Sequence, residues 1–417
     1  VSWAPEMCIR DRVLYVQNSA IKTLFCNIKQ KINHSFDGEK HMKRRIFTTL
    51  DNLAKRDIFD AKYAQLEKRR ENLDKQIRRE EREAKIVLAK ENVVEFTAKA
   101  KKYAKKQAKK AAYDAKYLYV AGGHAKNEFL GWLTIFSFHR SHKVKTTRFV
   151  RYDDDDKRLY LDFYERKDRD RNKKSRVFVY IHGGGWIGGL PETREAYTTK
   201  LCEKTGYFVA SLYYGEAPFY GHPEMIQNVY KAFAWLKEHA DEYNIDMDRI
   251  FVGGESAGAH LSSMAGAIST NPEYAAHFDL DERSKNQRIS ALMLNCGVYD
   301  FPKAVHTGFK NIGIYTQSYC KGTPVEECSE ELQKEISPIN WVTKDFPPTF
   351  AISAENDKLA VLTFDLVKKL QDLGVSYEHY HGEGKWAVHA FPVAQFLTIS
   401  KEAMKRTIAF LNYFEIE

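Results

Sequence analysis

The six cysteines (Cys8, Cys26, Cys202, Cys296, Cys320 and Cys328) form no C-x-x-C pair and show no metal-ligand spacing. That excludes a zinc ribbon or a thioredoxin-type redox site and makes a reduced, cytoplasmic setting the default expectation. Long apolar runs are missing as well. The longest patch, Phe129–Phe138 (FLGWLTIFSF), is interrupted by Gly131 and Thr134. It falls short of the roughly 20 residues a membrane-spanning helix needs and reads as a packing or lid segment. Between Met42 and Leu118 there is neither glycine nor proline. The residues there are mostly Ala, Lys, Glu, Arg and Gln, all good helix formers, so the stretch is expected to be helical.

What the chain does have is ample material for a core. Hydrophobic residues make up 43% of its 417 positions, enough for one large α/β domain with an appendage. The net charge of +9 is unevenly placed: residues 1–117 hold 29 Lys/Arg against 16 Asp/Glu, and the remaining 300 hold 36 against 40. The basic character therefore belongs to the N-terminal arm. Leu66, Leu73, Ile77, Ala84 and Val87 fall near a heptad stripe that Arg70, Glu80 and Glu91 interrupt, the pattern of a weak coiled coil or a long amphipathic helix pair. Lys101–Lys110 (KKYAKKQAKK) could meet an anionic membrane surface or nucleic acid. The simpler alternative is a solvated helix with Tyr103, Ala111 and Tyr117 turned inward.

Two features bear on the N-terminus. Met7–Arg12 (MCIRDR) matches the translation of a mosaic-end adapter used in transposase-based sequencing libraries, so residues 1–12 are expected to be adapter read-through. Gly38–Met42 (GEKHM) can be encoded with GGAG ahead of an ATG, as in a bacterial ribosome-binding site. A natural start at Met42 is the expectation. The domain plan is then a doubtful upstream segment (1–41), a charged helical arm (42–121) closed by Gly122-Gly123, and an α/β domain (122–417). On that plan a chain starting near Gly122 keeps the whole sheet.

After Gly123 the period changes from helical to alternating. Strands are expected at Thr146–Tyr152 and Leu159–Arg166 around the acidic turn DDDDK, at Arg176–Ile181, Phe208–Tyr214, Arg249–Val252, Ile289–Gly297, Pro348–Ala354 and Ser376–His381. Helices are expected at Pro223–Tyr243, Ala257–Ile268, Leu359–Leu373 and Pro392–Phe414. This alternation predicts a mostly parallel, doubly wound α/β sheet. Residues 301–345 break it as a lid insertion would, and a second lid segment is expected near 124–143.

The strand ending at Ile181 runs into HGGGWIGG, in which Gly183, Gly185 and Gly188 satisfy G-x-G-x-x-G. A dinucleotide site would require an acidic partner about 20 residues on, and none is present. Further along, Gly254-Glu255-Ser256-Ala257-Gly258 follows a strand and opens a helix. G-x-S-x-G in that context is a nucleophile elbow. A serine hydroxyl needs an imidazole to take its proton, and the imidazole needs an acid to hold its tautomer. In the order Ser, acid, His, the candidates are Ser256, Asp357 in AENDKL and His389 in KWAVHAF. Asp300 (GVYD) and Glu355 are alternative acids. His260, His379 and His381 are read as packing or surface residues.

From about Val144 to the C-terminus the chain resembles the HGGG branch of α/β-hydrolase esterases, the group similar to hormone-sensitive lipase and bacterial carboxylesterases. HGGGW at His182, GESAG at Ser256, D-x-L at Asp357 and H-x-F at His389 carry the resemblance, in that order. The family's YRLAPE segment is matched only at Tyr214, Ala217 and Pro218. HGGGW with GESAGAHL is also similar to small-acyl polysaccharide esterases and formamidases. The resemblance implies an α/β-hydrolase fold behind a helical arm and an ester-cleaving serine hydrolase, with no metal or cofactor. Gly183, Gly184 and Ala257 would hold the oxyanion, His182 would orient the loop, and Trp186, Tyr214, Phe219 and Trp386 would line a substrate pocket. An amidase, deacetylase or peptidase shares this machinery. A non-catalytic receptor on the fold, as in the gibberellin receptors, would be expected to lose a triad member.

Overall fold

The computed structural model describes residues 103–124 and 141–413, together with Lys75 and Arg79. The chain divides into two compact units, Val1–Lys101 and Lys102–Glu417. Of the first, Lys75 and Arg79 are helical and exposed. The adapter segment, the proposed start at Met42, the heptad stripe and Phe129–Phe138 all lie outside the described residues.

The second unit is built on one eight-stranded sheet in the order β1-β2-β4-β3-β5-β6-β7-β8. The strands are β1 (Val144–Arg151), β2 (Tyr160–Arg166), β3 (Ser175–Ile181), β4 (Phe208–Tyr213), β5 (Ile245–Glu255), β6 (Ile289–Asn295), β7 (Thr349–Ala354) and β8 (Tyr377–Gly382). β1 and β2 form an antiparallel edge, and every pairing from β4 to β8 is parallel. Strands β4, β7 and most of β3 and β6 are buried along their length, as expected for a sheet covered on both faces. β5 is longer than expected because its first residues continue the pairing with β3 across a register shift.

Helices Glu195–Thr205 and Thr398–Tyr413 lie on one face, closing a core with Phe178, Tyr180, Phe251, Met293, Phe350 and Ile352. The elbow helix, Ala257–Thr270, approaches from the other face, where Gly266 packs against Leu292. The expected helix Pro223–Tyr243 is two pieces, Glu224–Glu238 and Ala240–Tyr243. The final helix starts later than expected, after the short turn Phe391–Val393. Residues 301–345 form short helices, the longest being Ile312–Tyr319.

Leaving β3 the chain moves to β4 on one side, then crosses back to β5 on the other. Such a reversal of strand order opens a crevice at the carboxyl ends of the strands, where open α/β sheets bind ligands. The loops after β3, β5, β6, β7 and β8 all emerge at that edge.

The compact unit begins at Lys102, well ahead of the boundary expected at Gly122-Gly123. Helix 103–124 explains the shift. Its stripe of Tyr113, Tyr117, Val120 and His124 faces the body. The Tyr117 hydroxyl donates to the Ala217 carbonyl at 2.7 Å, Tyr113 meets Ser318 at 2.9 Å, and His124 meets the Tyr315 hydroxyl at 3.0 Å. Ala111, expected inward, is exposed, because the stripe runs through Tyr113 and Tyr117 instead. Lys105, Lys106, Lys109 and Lys110 point to solvent, and Lys109 pairs with Glu327 at 3.0 Å. Among the described residues no helix is long and apolar enough to cross a membrane.

Candidate active site

Ser256 follows β5 in a conformation that an L-residue rarely adopts, φ 55° and ψ −118°. Strain of this kind persists only where the surroundings hold it, and three contacts do so here. The Ser256 amide donates to the Asn295 carbonyl at 2.8 Å. A β-carbon on Gly254 would lie 2.0 Å from the Ile181 carbonyl oxygen, and one on Gly258 would lie 1.9 Å from the same atom. Only glycine lets the turn press this closely on the end of β3. Ser256 is half-buried among fully buried neighbours, with the first turn of the elbow helix behind it. The Ala257 amide, at the first helical position, has no acceptor within the helix.

The loop after β3 departs from expectation at one residue. The Gly183 amide donates to Glu255 Oε1 at 2.8 Å, so it is not aimed at a substrate. Among the described residues the Gly184 and Gly185 amides have no intramolecular acceptor. Gly184 takes φ 136°, and a β-carbon there would strike the Gly188 carbonyl at 1.9 Å. Glu255 anchors the assembly. Its buried carboxylate also accepts from Arg194 Nε and from the Tyr180 hydroxyl, each at 2.5 Å. Burial and the Glu255 charge push the Tyr180 phenol far above its ordinary range, so it stays a donor. His182 is buried, its Nδ1–H donates to the Gly183 carbonyl at 2.9 Å, and its ring stacks on Tyr214 at 4.6 Å. Burial lowers its pKa and keeps it neutral. The sequence pointed to His182 as the loop-orienting residue; Glu255 shares that task, and its place between two motif residues was the available signal.

His389 Nδ1 lies 2.7 Å from Asp357 Oδ2. The Asp357 side chain is fully buried and its other oxygen accepts the Leu359 amide at 2.9 Å. The loops carrying the two residues are stitched together, with Asn356 bridging Val388 and its amide donating to the Ala387 carbonyl at 2.8 Å. Asp300 does other work, capping the short helix Phe301–Ala304 through the Lys303 amide. Glu355 is exposed and accepts the Gly384 amide. His379 and His381 sit on β8, both bonded to Ser353 Oγ at 2.8 Å. His260 is buried between Trp186 Nε1 and the Ile336 carbonyl, and burial lowers its pKa to about 3. None of these three histidines joins the dyad.

The structure also brings in Cys296, which no sequence motif marked. It follows β6 with φ 51°, its amide donates to the Ile352 carbonyl at 2.8 Å, and it is fully buried. Its sulfur stands against Asp357, and burial together with that carboxylate raises the thiol pKa far above its ordinary value. Cys296 is therefore no nucleophile at neutral pH.

The expected pocket aromatics separate. Trp186 is 1% exposed, packed among His260, Phe301 and Tyr319, and Tyr214 is equally buried under His182. Both side chains belong to the core. Phe219 is half-buried beneath the Arg158 guanidinium. Trp386, 58% exposed, stands in the His389 loop. Phe309, from the inserted segment, packs edge-on against the His389 ring at 4.7 Å, and Tyr315 lies over Gly185. Both were missed because residues 301–345 carry no motif.

Residues 161–366 match the BD-FAE family. A probable carboxylic ester hydrolase of Mycobacterium tuberculosis, LipM, is 29% identical over 203 residues, covering 48% of this chain and 45% of the relative. An acetyl esterase of Salmonella schwarzengrund is 26% identical over 242 residues, covering 55% and 69%. The chain spans about half the length of the first curated relatives it matches. Among solved structures, esterase B of Lactobacillus rhamnosis superposes with a TM-score of 0.64 at 23% identity, covering 74% of this chain and 98% of that one. That likeness carries the α/β-hydrolase fold.

Proposed function

We propose that this chain, an α/β-hydrolase whose relatives are esterases, is itself a serine hydrolase that cleaves carboxylic esters of short to medium acyl length through an acyl-enzyme. The observation that carries the reading is the Asp357–His389 pair at 2.7 Å, at the same sheet edge as a serine held on a strained elbow. Asp357 holds the proton on His389 Nδ1, which leaves Nε2 to accept the Ser256 proton as Oγ attacks the ester carbonyl. The oxyanion that forms takes hydrogen bonds from the Gly184, Gly185 and Ala257 amides. Each such donor, fixed before the reaction begins, is worth about 3 kcal/mol of transition-state stabilisation. His389 then protonates the departing alcohol, and water repeats the sequence to free the acid. The relatives named acetyl esterase favour the short end of the acyl range.

Trp386, exposed in the His389 loop, and half-buried Phe219 remain the aromatic candidates for substrate contact. Lys105, Lys106, Lys109 and Lys110, exposed on helix 103–124, support a weak contact with an anionic surface, membrane or nucleic acid; Lys101 and Lys102 lie outside the described residues. The free thiols of Cys202, Cys296, Cys320 and Cys328 favour a cytoplasmic setting.

The test is hydrolysis of p-nitrophenyl esters of increasing chain length, with a matched anilide beside them. Turnover should peak at short acyl chains and be far slower on the anilide. Ser256→Ala should abolish it with the fold intact. A folded Ser256→Ala protein releasing p-nitrophenol at the wild-type rate would overturn the assignment. Preference for the anilide would move the reading to an amidase, deacetylase or peptidase.

A further inference from the structure

Three elements that do not neighbour one another in the chain place a thiol, a carboxylate and an imidazole together. Cys296 follows β6, Asp357 follows β7 and His389 follows β8, and one ligand atom from each lies within 4.8 Å of the others. Four-coordinate zinc takes thiolate sulfur at about 2.3 Å and imidazole nitrogen or carboxylate oxygen at about 2.0 Å. Donors around one ion are then separated by less than this span, so binding draws the three side chains together. The set is also the right one in charge. One thiolate and one carboxylate neutralise a divalent ion, which suits a site where Cys296 and Asp357 are both buried. The His389 side chain is 23% exposed, which gives an ion a way in from the catalytic edge.

We propose that Cys296 Sγ, Asp357 and His389 Nδ1 form an inhibitory site for thiophilic divalent ions, zinc and cadmium above all, so that the catalytic dyad doubles as a metal trap. The inhibition rests on the catalytic reading given above; the binding does not. The ion displaces the thiol proton, which leaves to solvent, and forms bonds to sulfur, to one carboxylate oxygen and to the Nδ1 lone pair. A neutral imidazole that ligates through Nδ1 carries its proton on Nε2. Turnover needs the opposite tautomer, with Nε2 free to accept the serine proton. Binding and catalysis therefore exclude each other. Hard, oxygen-seeking ions such as magnesium gain nothing from the sulfur and should not bind.

Two measurements on the full chain test this. In the first, hydrolysis of a short p-nitrophenyl ester is titrated with buffered free zinc, each variant normalised to its own metal-free rate. Wild type should be inhibited, a chelator should restore the rate, and magnesium should have no effect. Cys296→Ala should raise the half-inhibiting zinc concentration by about tenfold or more, since even an outer-shell partner is worth that much affinity. In the second, cadmium is added to Ser256→Ala protein and its thiolate charge-transfer absorption is recorded, a readout that needs no turnover. The band should be lost, or fall to what the other five cysteines contribute, when Cys296→Ala is added. Cys296→Ser, which keeps the volume and loses the soft donor, replaces the alanine variant if that fails to fold. Equal zinc sensitivity with and without the thiol, or a cadmium band indifferent to residue 296, overturns the proposal. If wild type hydrolyses no ester, the cadmium band alone decides the site, and the catalytic reading fails separately.

Discussion

Two helices reach the catalytic edge by opposite means. The elbow helix, Ala257–Thr270, is buried almost from end to end, and its backbone does the positioning. Gly254 and Gly258 let its first turn press on the Ile181 carbonyl, so the nucleophile is placed by main-chain contact alone. Helix 103–124 is exposed over most of its surface and is placed by side-chain tips: two tyrosine hydroxyls and one imidazole. Yet its last residue touches the same machinery. A β-carbon on Gly188 would meet the His124 side chain at 2.8 Å, and His124 is bonded to Tyr315, which covers Gly185. Backbone docking tolerates no substitution, whereas docking through tips is graded and can be weakened one bond at a time.

The comparison can be broken most severely at the elbow. Gly258→Ala puts a methyl group 1.9 Å from a backbone oxygen that cannot yield, so loss of soluble folded protein or of all esterase turnover is expected. A well-folded, active Gly258→Ala enzyme would show that the elbow can relax. Next in size is removal of residues 1–124. This uncovers the surface that Tyr117 and Val120 bury and frees Tyr315, so a thermal midpoint lower by several degrees and a reduced kcat on short esters are expected. A chain beginning at residue 102 should match the full protein in both measurements. Equal behaviour of the two shortened chains would make helix 103–124 an appendage after all.

Smaller effects sharpen the contrast. Tyr117→Phe removes one buried hydrogen bond to the Ala217 carbonyl and leaves that oxygen unpaired, at a cost of about 1–2 kcal/mol in denaturant unfolding. Replacing Lys105, Lys106, Lys109 and Lys110 together by glutamine should change stability by less than about 0.5 kcal/mol, because the one surface ion pair lost is worth little. Esterase turnover should not change. Binding to anionic vesicles or nucleic acid should fall instead, and in the unmutated protein it should weaken between low and physiological salt.

The parallel sheet, the elbow and the acid–base pair were legible in the sequence because each is written in a short stretch. Alternating apolar residues specify a strand wherever they occur, and G-x-S-x-G between a strand and a helix permits only one kind of turn. Taken in the chain order Ser, acid, His, the candidates were Ser256, Asp357 and His389, with Asp300 and Glu355 as alternative acids. The docking of helix 103–124 was not legible. Tyr117 was read as turned inward, but its companions Tyr113, Val120 and His124 were not, because a lysine-rich composition concealed the stripe.

What the sequence by itself determined, then, is the fold and the candidate reacting groups, since both follow from local patterns that hold in any surroundings. Only the tertiary structure decided which amides those groups can use and what stands beside them. Gly183 is spent on Glu255, Trp186 is core, and Cys296 shares its space with Asp357 and His389. Each of these is a pairing between residues far apart in the chain, and a hydrogen bond or ligand contact depends on distances of a few ångströms that no one-dimensional pattern encodes.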